Sequence, residues 1–462
     1  MAISFPCPAF PVSSTASADS QPRSTTINDV VAVWWPLAAS WLFMALEAPI
    51  VSAALARLAN PEIQLAALGG VVYPLMLIIE SPVIMLLAAS TALSKDWASY
   101  QSLRRYMNLM SLALTVLHAA IAFTPLWDFV ARGLIGAPEE IIGPARLATA
   151  LTLPWTWSIA YRRFNQGVMI RHGLTRIVGI GTGVRLAATA LSLFAFVSLG
   201  LGQTTDFPGV AAGVLAIIVG VVSEAIFIGI KKRPVVAKHF DPDQTISGAV
   251  SSAQFMTFYV PLALTSLLSL LTQPLGSAAI SRMPRALESL AAWPIVIGVL
   301  FVLRAGATAY KEVVVALMDR PDAERALWRF TMILAWGSAG ITLAVAFTPL
   351  ADLLLVRAFG LPADVAALAR QGLRWGFALP FVGAIQNYYV GLLVHRHETR
   401  AVTESMALFL ASSSIVLVAG VLHGGVPGLI VGYVGFSVAN VLQAWWVWRA
   451  ATRPAVATAT RV

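Results

Sequence analysis

Residues 36–57 read PLAASWLFMALEAPIVSAALAR, and residues 261–282 read PLALTSLLSLLTQPLGSAAISR. The two segments align without gaps when Pro36 is placed on Pro261, and both prolines, the SAA triplet and the terminal arginine then coincide. Each segment is apolar over about the 18 residues or more that a helix needs to cross the hydrocarbon core of a membrane. The pair therefore predicts a membrane protein built by duplication.

The duplication extends over most of each half of the chain. AFTPLWD from Ala122 matches AFTPLAD from Ala346, and in the same register Arg146 falls on Arg370. Charged loop residues and prolines stay in phase, which chance matches between apolar sequences would not produce. Each copy holds six predicted spans, an even number, so the copies should run in the same direction about an axis along the membrane normal.

Composition supports a membrane protein independently of the repeat. Apolar residues make up 58% of the chain, charged residues 11%, and the mean hydropathy is +0.78. The apolar segments lack the alternation of barrel strands and are about twice too long for them. The predicted helices lie near residues 30–57, 66–94, 104–127, 140–168, 175–200, 208–231, 250–278, 287–318, 327–353, 364–393, 401–422 and 426–449. The predicted fold class is thus an all-α polytopic membrane protein with twelve transmembrane helices in two parallel six-helix lobes.

Five regions follow from this division of the chain. They are a disordered cytoplasmic tail (1–27), an N-terminal lobe (28–230), a charged cytoplasmic linker (231–248), a C-terminal lobe (249–450) and a cytoplasmic tail (451–462). The only cysteine, Cys7, lies in the first tail. Disulfides, iron–sulfur clusters and a thiol nucleophile are therefore not expected.

The basic residues fix the expected orientation. With the amino terminus inside, 22 Lys and Arg residues belong to the cytoplasmic side and eight to the other side and its flanks. This bias predicts cytoplasmic termini in a multi-pass protein of the inner or plasma membrane. The net charge of +9 is thus explained by topology, and no nucleic-acid partner is expected. The expected partners are the lipid bilayer and a small-molecule substrate, and we expect a monomer.

Several charged residues fall inside predicted spans, where a charge costs about 2.5–3.5 kcal/mol on insertion scales. Glu47, Glu80 and Glu224 are candidates for coupling transport to H⁺ or Na⁺, because a desolvated carboxylate can take up a proton or hold a cation. Arg304 is the candidate for binding an anionic substrate. The alternative is that such charges pair inside the bundle and fasten helices together.

Further polar side chains complete the predicted substrate site. They are Arg374, Arg185, Asn165, Gln166 and Asn387.

Pro49 and Pro274 occupy matching positions in the first helix of each lobe. A proline frees the carbonyl four residues earlier and permits a bend. Both residues are hinge candidates, although kinks satisfied by neighbouring helices are also common in membranes.

No reactive constellation is present. The HRH tripeptide at 395–397 lacks a carboxylate or thiol set with metal-ligand spacing, and a basic loop explains it better. No Walker motif, catalytic triad or paired-carboxylate pattern occurs, so we expect neither an enzyme nor a bound metal. The only expected cofactor is a coupling ion, H⁺ or Na⁺.

Two further stretches carry a family resemblance. GVMIRHGLTRIVG (167–179) and PADVAALARQGLRWGFALPF (362–381) resemble segments of the multidrug/oligosaccharidyl-lipid/polysaccharide (MOP) exporter superfamily. They are most similar to its progressive ankylosis (ANK) branch, with the multidrug (MATE) branch next. The resemblance implies a MATE-like fold with a pseudo-two-fold axis and secondary transport by rocking of the lobes.

The branches imply different substrates. An ANK-like protein would export a small organic anion of the citrate, nucleotide or pyrophosphate class, and this is our leading hypothesis. A MATE-like protein would export organic cations in exchange for H⁺ or Na⁺, with Glu47 matching that family's acidic residue in the first helix. Thr272 and Gln273 stand where an acid would be needed in the seventh helix. A lipid-linked sugar flippase and a duplicated channel are further alternatives.

Overall fold

The structure is a computed structural model that describes residues 24–204, 207–241 and 248–453. The described part of the N-terminal half contains ten α-helices. They are α1 (Ile27–Leu55), α2 (Pro61–Ala67), α3 (Tyr73–Ile84), α4 (Leu86–Leu93), α5 (Trp97–Phe123), α6 (Leu126–Asp128), α7 (Glu139–Leu151), α8 (Leu153–Arg171), α9 (Thr175–Ser198) and α10 (Gly209–His239).

The described part of the C-terminal half contains nine α-helices. They are α11 (Ser252–Leu270), α12 (Thr272–Ile280), α13 (Ala286–Leu317), α14 (Ala323–Phe347), α15 (Leu350–Asp352), α16 (Ala363–Trp375), α17 (Ala378–His395), α18 (Thr399–His423) and α19 (Gly428–Ala451). Three π-helical segments, Leu68–Val72, Phe129–Ile135 and Leu353–Ala358, join neighbouring helices. The two halves fold alike, and the predicted all-α class with two parallel lobes is confirmed.

Ten helices of the described chain are long and apolar enough to cross a membrane, or up to eleven if the bent pair α16 and α17 is one span. The remaining predicted span, 140–168, is present as α7 and α8. It is not among the eleven, and α8 carries two adjacent arginines and two amides near its carboxyl end. Length and hydropathy alone therefore undercount the spans where polar side chains face the protein interior.

Prolines explain one difference from the predicted continuous spans. The seventh span is broken after Leu270, whose carbonyl is the one that Pro274 leaves without an amide partner. In α1, by contrast, Pro49 lies inside a helix that continues to Leu55. The matched prolines thus have different local effects, and their role as hinges stays a prediction.

Two helix boundaries differ most from the predicted ones. α5 begins at Trp97, not near residue 104, because Asp96 and Ser99 form a capping box at its start. α10 continues to His239, beyond the predicted start of the linker at 231. The ammonium of Lys232 lies 4.5 Å from the ring centroid of Tyr161, so the first part of this charged stretch packs against α8.

The lobes meet mainly where α1 packs on α13, α2 on α13 and α3 on α11. In the register that places Pro36 on Pro261, Gly69 falls on Pro294, so these two residues are repeat partners. A Cβ built on Gly69 would overlap the Pro294 ring, so the two residues touch. Equivalent residues can touch only near the symmetry axis, and this contact marks where the pseudo-two-fold axis passes.

Two arginines join the lobes at the ends of α1 and α12. Nη1 of Arg57 donates to the carbonyl of Phe359 at 2.9 Å, and Nη2 reaches the two carbonyls before it. Nη1 of Arg282 donates to the carbonyl of Ile135 at 2.8 Å, and Nη2 again reaches the two carbonyls before it. Each arginine caps the carboxyl end of a π-helical segment in the other lobe, where carbonyls lack partners and the dipole is negative. We call these two contacts the arginine latches.

Each latch requires a glycine beside it. Gly136 and Gly360 have φ values of 72° and 77°, a region that favours glycine. A Cβ on Gly136 would lie 3.1 Å from the guanidinium carbon of Arg282, and a Cβ on Gly360 would lie 3.2 Å from Cγ of Arg57. These latches lie on the side predicted to be extracellular.

A second symmetric pair joins the lobes on the other side. Nε1 of Trp34 donates to the carbonyl of Gly306 at 2.8 Å, and the hydroxyl of Tyr259 donates to the carbonyl of Pro82. Trp34 and Tyr259 are repeat partners in the register that places Pro36 on Pro261. Pro82 and Gly306 are partners in the register of the AFTPL segments, in which the offset is one residue smaller. The lobes are thus held together at both ends of their interface in this conformation.

Candidate functional site

A polar cluster lies in the N-terminal lobe where α1, α8, α9 and α10 meet. Oε2 of Glu47 lies 3.0 Å from Nη2 of Arg185, and the two side chains are 13% and 11% exposed. Oε1 of Glu47 also accepts a hydrogen bond from Thr189 at 3.2 Å. Because both charges are largely buried, salt screens this ion pair less than it would a surface pair.

Glu224 is the most buried member of the cluster. Its side chain is fully buried, and Oε2 lies 2.6 Å from Nη1 of Arg162. Oε1 of Glu224 accepts a hydrogen bond from Nε2 of Gln166 at 2.9 Å. Nε of Arg185 lies 3.9 Å from Oε2 of Glu224. Arg162 and Gln166 are four residues apart and so share one face of α8. Glu224 therefore joins α10 to both α8 and α9.

Glu80 lies in a separate contact between α3 and α8. Oε2 of Glu80 accepts a hydrogen bond from Nε1 of Trp155 at 2.8 Å. Arg163 is close enough to interact electrostatically with this carboxylate. Each of the three carboxylates predicted to couple ions thus already has a partner within the N-terminal lobe.

The polar residues of α8 keep unused hydrogen-bonding capacity. Nε of Arg162, Nε of Arg163, Oδ1 of Asn165 and Oε1 of Gln166 are buried and make no hydrogen bond within the described part of the chain. Buried polar atoms are usually satisfied. These four atoms are where a small polar molecule or ion would find partners without displacing a protein contact.

The C-terminal lobe contributes a charge without a counterion. Arg304 of α13 is partly buried and forms no ion pair with any described residue. It lies beside Gly383 of α17, where a built Cβ would be 3.5 Å from its guanidinium nitrogen. Nδ2 of Asn387 donates to the carbonyl of the same Gly383 at 2.8 Å. Arg304 and Asn387 therefore both lie next to Gly383 of α17.

Comparison of the repeats shows how the charge differs between the lobes. In the register of the two AFTPL segments, Glu80 corresponds to Arg304 and Arg163 to Asn387. Glu80 packs against α8, and Arg304 packs against α17, the equivalent helix. The two lobes thus place opposite charges at matching positions, and the neighbouring arginine of the first lobe becomes a neutral amide in the second.

Arg374 does not take part in that arrangement. It is exposed near the end of α16, and its Nε donates to the carbonyl of Ala346 at 3.2 Å. Its guanidinium carbon lies 5.5 Å from the ring centroid of Phe347. Neither contact involves Arg304 or Asn387.

The repeat explains the position of Arg374. In the first lobe, Nε of Arg146 donates to the carbonyl of Ala122 at 3.0 Å, and Ala122 and Ala346 are repeat partners. Arg374 thus makes in the second lobe the contact that Arg146 makes in the first, although it lies one helical turn beyond Arg370, the repeat partner of Arg146. The contact is duplicated, as expected of a residue that fastens helices together.

The part of the chain that the structure describes holds no group of three or more His, Cys, Asp or Glu side chains that could bind a metal ion. Nε2 of His395, from the HRH tripeptide, instead lies 3.3 Å from a carboxylate oxygen of Asp319.

Comparison with known proteins gives likenesses in structure alone. A multidrug resistance MATE family transporter of the MOP superfamily, in an inward-facing conformation, matches with a TM-score of 0.68 at 14% identity, covering 92% of this chain and 98% of that one. A MOP superfamily transporter from Pyrococcus furiosus gives 0.62 at 14% identity, covering 92% and 96%. The lipid II flippase MurJ, in an inward closed conformation, gives 0.65 at 14% identity, covering 90% and 87%. No family model and no curated protein matches the sequence.

The chain has the fold of these MOP superfamily structures. At such low identity the likeness concerns the fold and does not distinguish the ANK branch from the others, so that part of the sequence-based resemblance stays a prediction.

The seventh span has Gln273 at the position where a MATE-like cation site would need an acid. Oε1 of Gln273 accepts a hydrogen bond from Nε1 of Trp293 at 3.3 Å.

Sequence reasoning missed two buried or partly buried arginines of α8, one in the polar cluster and one beside Glu80. Arg162 and Arg163 count toward the cytoplasmic charge in the topology argument, but Arg162 is buried beside Glu224 and Arg163 lies partly buried near Glu80. The four-residue spacing of Arg162 and Gln166 was the available signal, because it places a charge and an amide on one helical face.

Proposed function

We propose that this protein is a secondary active transporter that moves a small organic anion across the membrane by alternating access. The fold supports transport, because known proteins with this architecture include MATE transporters and a lipid flippase. The observation that carries the choice of an anion is the reversal of charge between the repeats. Where the first lobe has Glu80 beside Arg163, the second has Arg304 beside Asn387.

The charge balance favours an anion over an organic cation. The three N-terminal carboxylates already contact donors or arginines of their own lobe, so none is free to hold a cationic substrate. Arg304 has no carboxylate partner in the described chain, and a buried charge without a partner is costly. A carboxylate or phosphate group of the substrate would supply that partner through charge-assisted hydrogen bonds.

The Glu47–Arg185 pair supports a role in coupling. Both side chains are slightly accessible, whereas Glu224 is fully buried. Uptake of a proton by Glu47 would remove one charge of the pair and release Arg185, which also lies near Glu224. We infer that Glu47, the more accessible of the two, is the residue that couples transport, with Glu224 serving to hold the helices.

The flippase alternative has less support in this conformation. Entry of a lipid between the first and eighth helices needs an opening there. Instead α1 and α13 pack closely, with Pro49 against Gly298 and Trp34 against Gly306.

Binding measurements on a matched pair of variants test this proposal. Purified protein is titrated with citrate, ATP, pyrophosphate and tetraphenylphosphonium. We expect at least one anion to bind, and Arg304→Gln to weaken it by roughly 10- to 100-fold, the range for a hydrogen bond to a charged group. Arg374→Gln, which removes an exposed arginine of the same lobe, should bind as the wild type does. Equal anion binding by Arg304→Gln, or binding of the cation alone, would refute the proposal.

A further inference from the structure

A groove lies on the outer surface of the N-terminal lobe, apart from the polar cluster. It has a volume of about 530 Å³ and is formed by one face of α5 together with a tryptophan of α8. Its lining residues are Gln101, Arg104, Arg105, Asn108, Leu109, Leu112 and Trp157. It opens toward the surroundings of the bundle, because the two leucines are 53% and 55% exposed and the tryptophan 42%.

The groove changes from polar to apolar along α5. The amide and guanidinium groups lie on the first turns of the helix, whereas Leu109 and Leu112 lie farther along. With a rise of about 1.5 Å per residue, Leu112 is about 12 Å deeper than Arg104. Such a gradient matches a phospholipid, whose charged headgroup lies at the membrane surface and whose chains extend into the hydrocarbon.

The two arginines of the groove are available to an anion. Both Arg104 and Arg105 are exposed, and neither forms an ion pair with a described carboxylate. Gln101 and Asn108 place amide donors on the same face of the helix. Trp157 of α8 adds an apolar ring to the wall of the groove.

The matching helix of the second lobe has different side chains on the face that forms the groove in the first. In the register that places Ala122 on Ala346, Arg104 becomes Trp328, Asn108 becomes Met332 and Leu112 becomes Trp336. Trp157 becomes Phe381, and the rings of Trp336 and Phe381 pack with centroids 4.8 Å apart. The apolar end of this helix face thus carries aromatic side chains in the second repeat, where Arg325 and Arg329 stand at the positions of Gln101 and Arg105.

We propose that this groove binds one anionic glycerophospholipid, with the lipid phosphate on Arg104 and Arg105 and an acyl chain along Leu109 and Leu112. The lipid would come from the leaflet at the amino end of α5, which the charge distribution predicts to be cytoplasmic. Anionic lipids attract basic residues near that surface with an energy equivalent to about fivefold in affinity for each residue.

Native mass spectrometry of the full chain, released from nanodiscs and titrated with lipid, tests the proposal. Phosphatidylglycerol should bind, and phosphatidylcholine with the same chains should bind much more weakly. Arg104→Gln with Arg105→Gln should weaken phosphatidylglycerol binding by roughly 25-fold. Arg325→Gln with Arg329→Gln removes two exposed arginines from the matching helix of the other lobe and should leave that binding unchanged.

A third variant keeps the charge and changes the shape. Leu112→Trp introduces the residue of the second repeat and should block the lipid chain while both arginines remain, so it tests the groove even if the double variant fails to fold. The proposal is wrong if Leu112→Trp binds the lipid normally or if both double variants lose it equally. Displacement of the lipid by inorganic phosphate would also overturn it, because it would show a site for soluble phosphate.

Discussion

Glu224 and its neighbour Glu47 differ in burial, and we propose that Glu224 serves the structure and Glu47 the function. It is fully buried and contacts Arg162 at 2.6 Å and Gln166 at 2.9 Å. Removing one partner of a buried ion pair leaves the other charge uncompensated, at a cost of about 3–5 kcal/mol. Glu47 and Arg185 are more accessible, so water can partly compensate for the loss of that charge.

This difference predicts that two conservative variants affect different properties of the protein. Glu224→Gln should lower the free energy of unfolding by about 3–5 kcal/mol, whereas Glu47→Gln should destabilise the protein less and mainly alter the pH dependence of transport. Thermal unfolding followed by tryptophan fluorescence measures the first effect, and transport as a function of pH measures the second. The assignment fails if Glu47→Gln is the less stable variant, or if its transport keeps the wild-type pH profile.

At the level of the residue, the sequence predicts which side chains are unusual but not what they contact. Glu47, Glu80, Glu224 and Arg304 stand out because charge is rare in apolar spans. The pairing of Glu224 with Arg162 joins residues 62 positions apart, and no local pattern contains that information.

The arginine latches show the repeat acting at the level of whole elements. Each arginine lies at the end of a span and binds three carbonyls at the carboxyl end of a π-helical segment in the opposite lobe. Opening of the lobes on this side must break both sets of contacts. Hydrogen bonds to charged groups contribute roughly 1.5–3 kcal/mol each, so the latches favour the closed arrangement.

Loss of a latch should therefore shift the protein toward an arrangement that is open on this side. Spin labels at Glu140 and Asp364, repeat partners that are both exposed, report the distance between the lobes in a Cys7→Ser background. Arg57→Gln with Arg282→Gln should increase the long-distance population by about tenfold or more. Arg370→Gln, which removes a contact within one lobe to Asp352, is the control. Unchanged distance distributions in the latch variant would show that the latches do not hold this state.

The sequence predicts the helices better than their interruptions. Apolar length and repeated prolines locate the spans, and the matched arginines of the first and seventh spans are visible in the alignment. The break at Leu271 and the π-helical segments are less predictable, since Pro274 breaks its helix while Pro49 does not. Whether a helix breaks at a proline depends on how it packs against the other lobe, and those contacts join residues that are distant in sequence.

For the molecule as a whole, duplication gives two lobes of one architecture with different chemistry. Contacts that hold the lobes together are conserved between the repeats, as the latches and the Trp34 and Tyr259 contacts show. The charged interior is not, because Glu80 of one lobe is replaced by Arg304 of the other. The contacts shared by both repeats are those between the lobes, and the residues that differ are the charged ones inside each lobe.

The most direct test of the central claim is counterflow in proteoliposomes. Vesicles loaded with unlabelled anion, chosen from the binding titration, should take up the labelled anion faster than empty vesicles, with saturable kinetics that Arg304→Gln abolishes and Arg374→Gln preserves. Labelled tetraphenylphosphonium should not be exchanged. Exchange of that cation without the anion, or a non-saturable conductance that persists in Arg304→Gln, would contradict the account of this protein as an anion transporter.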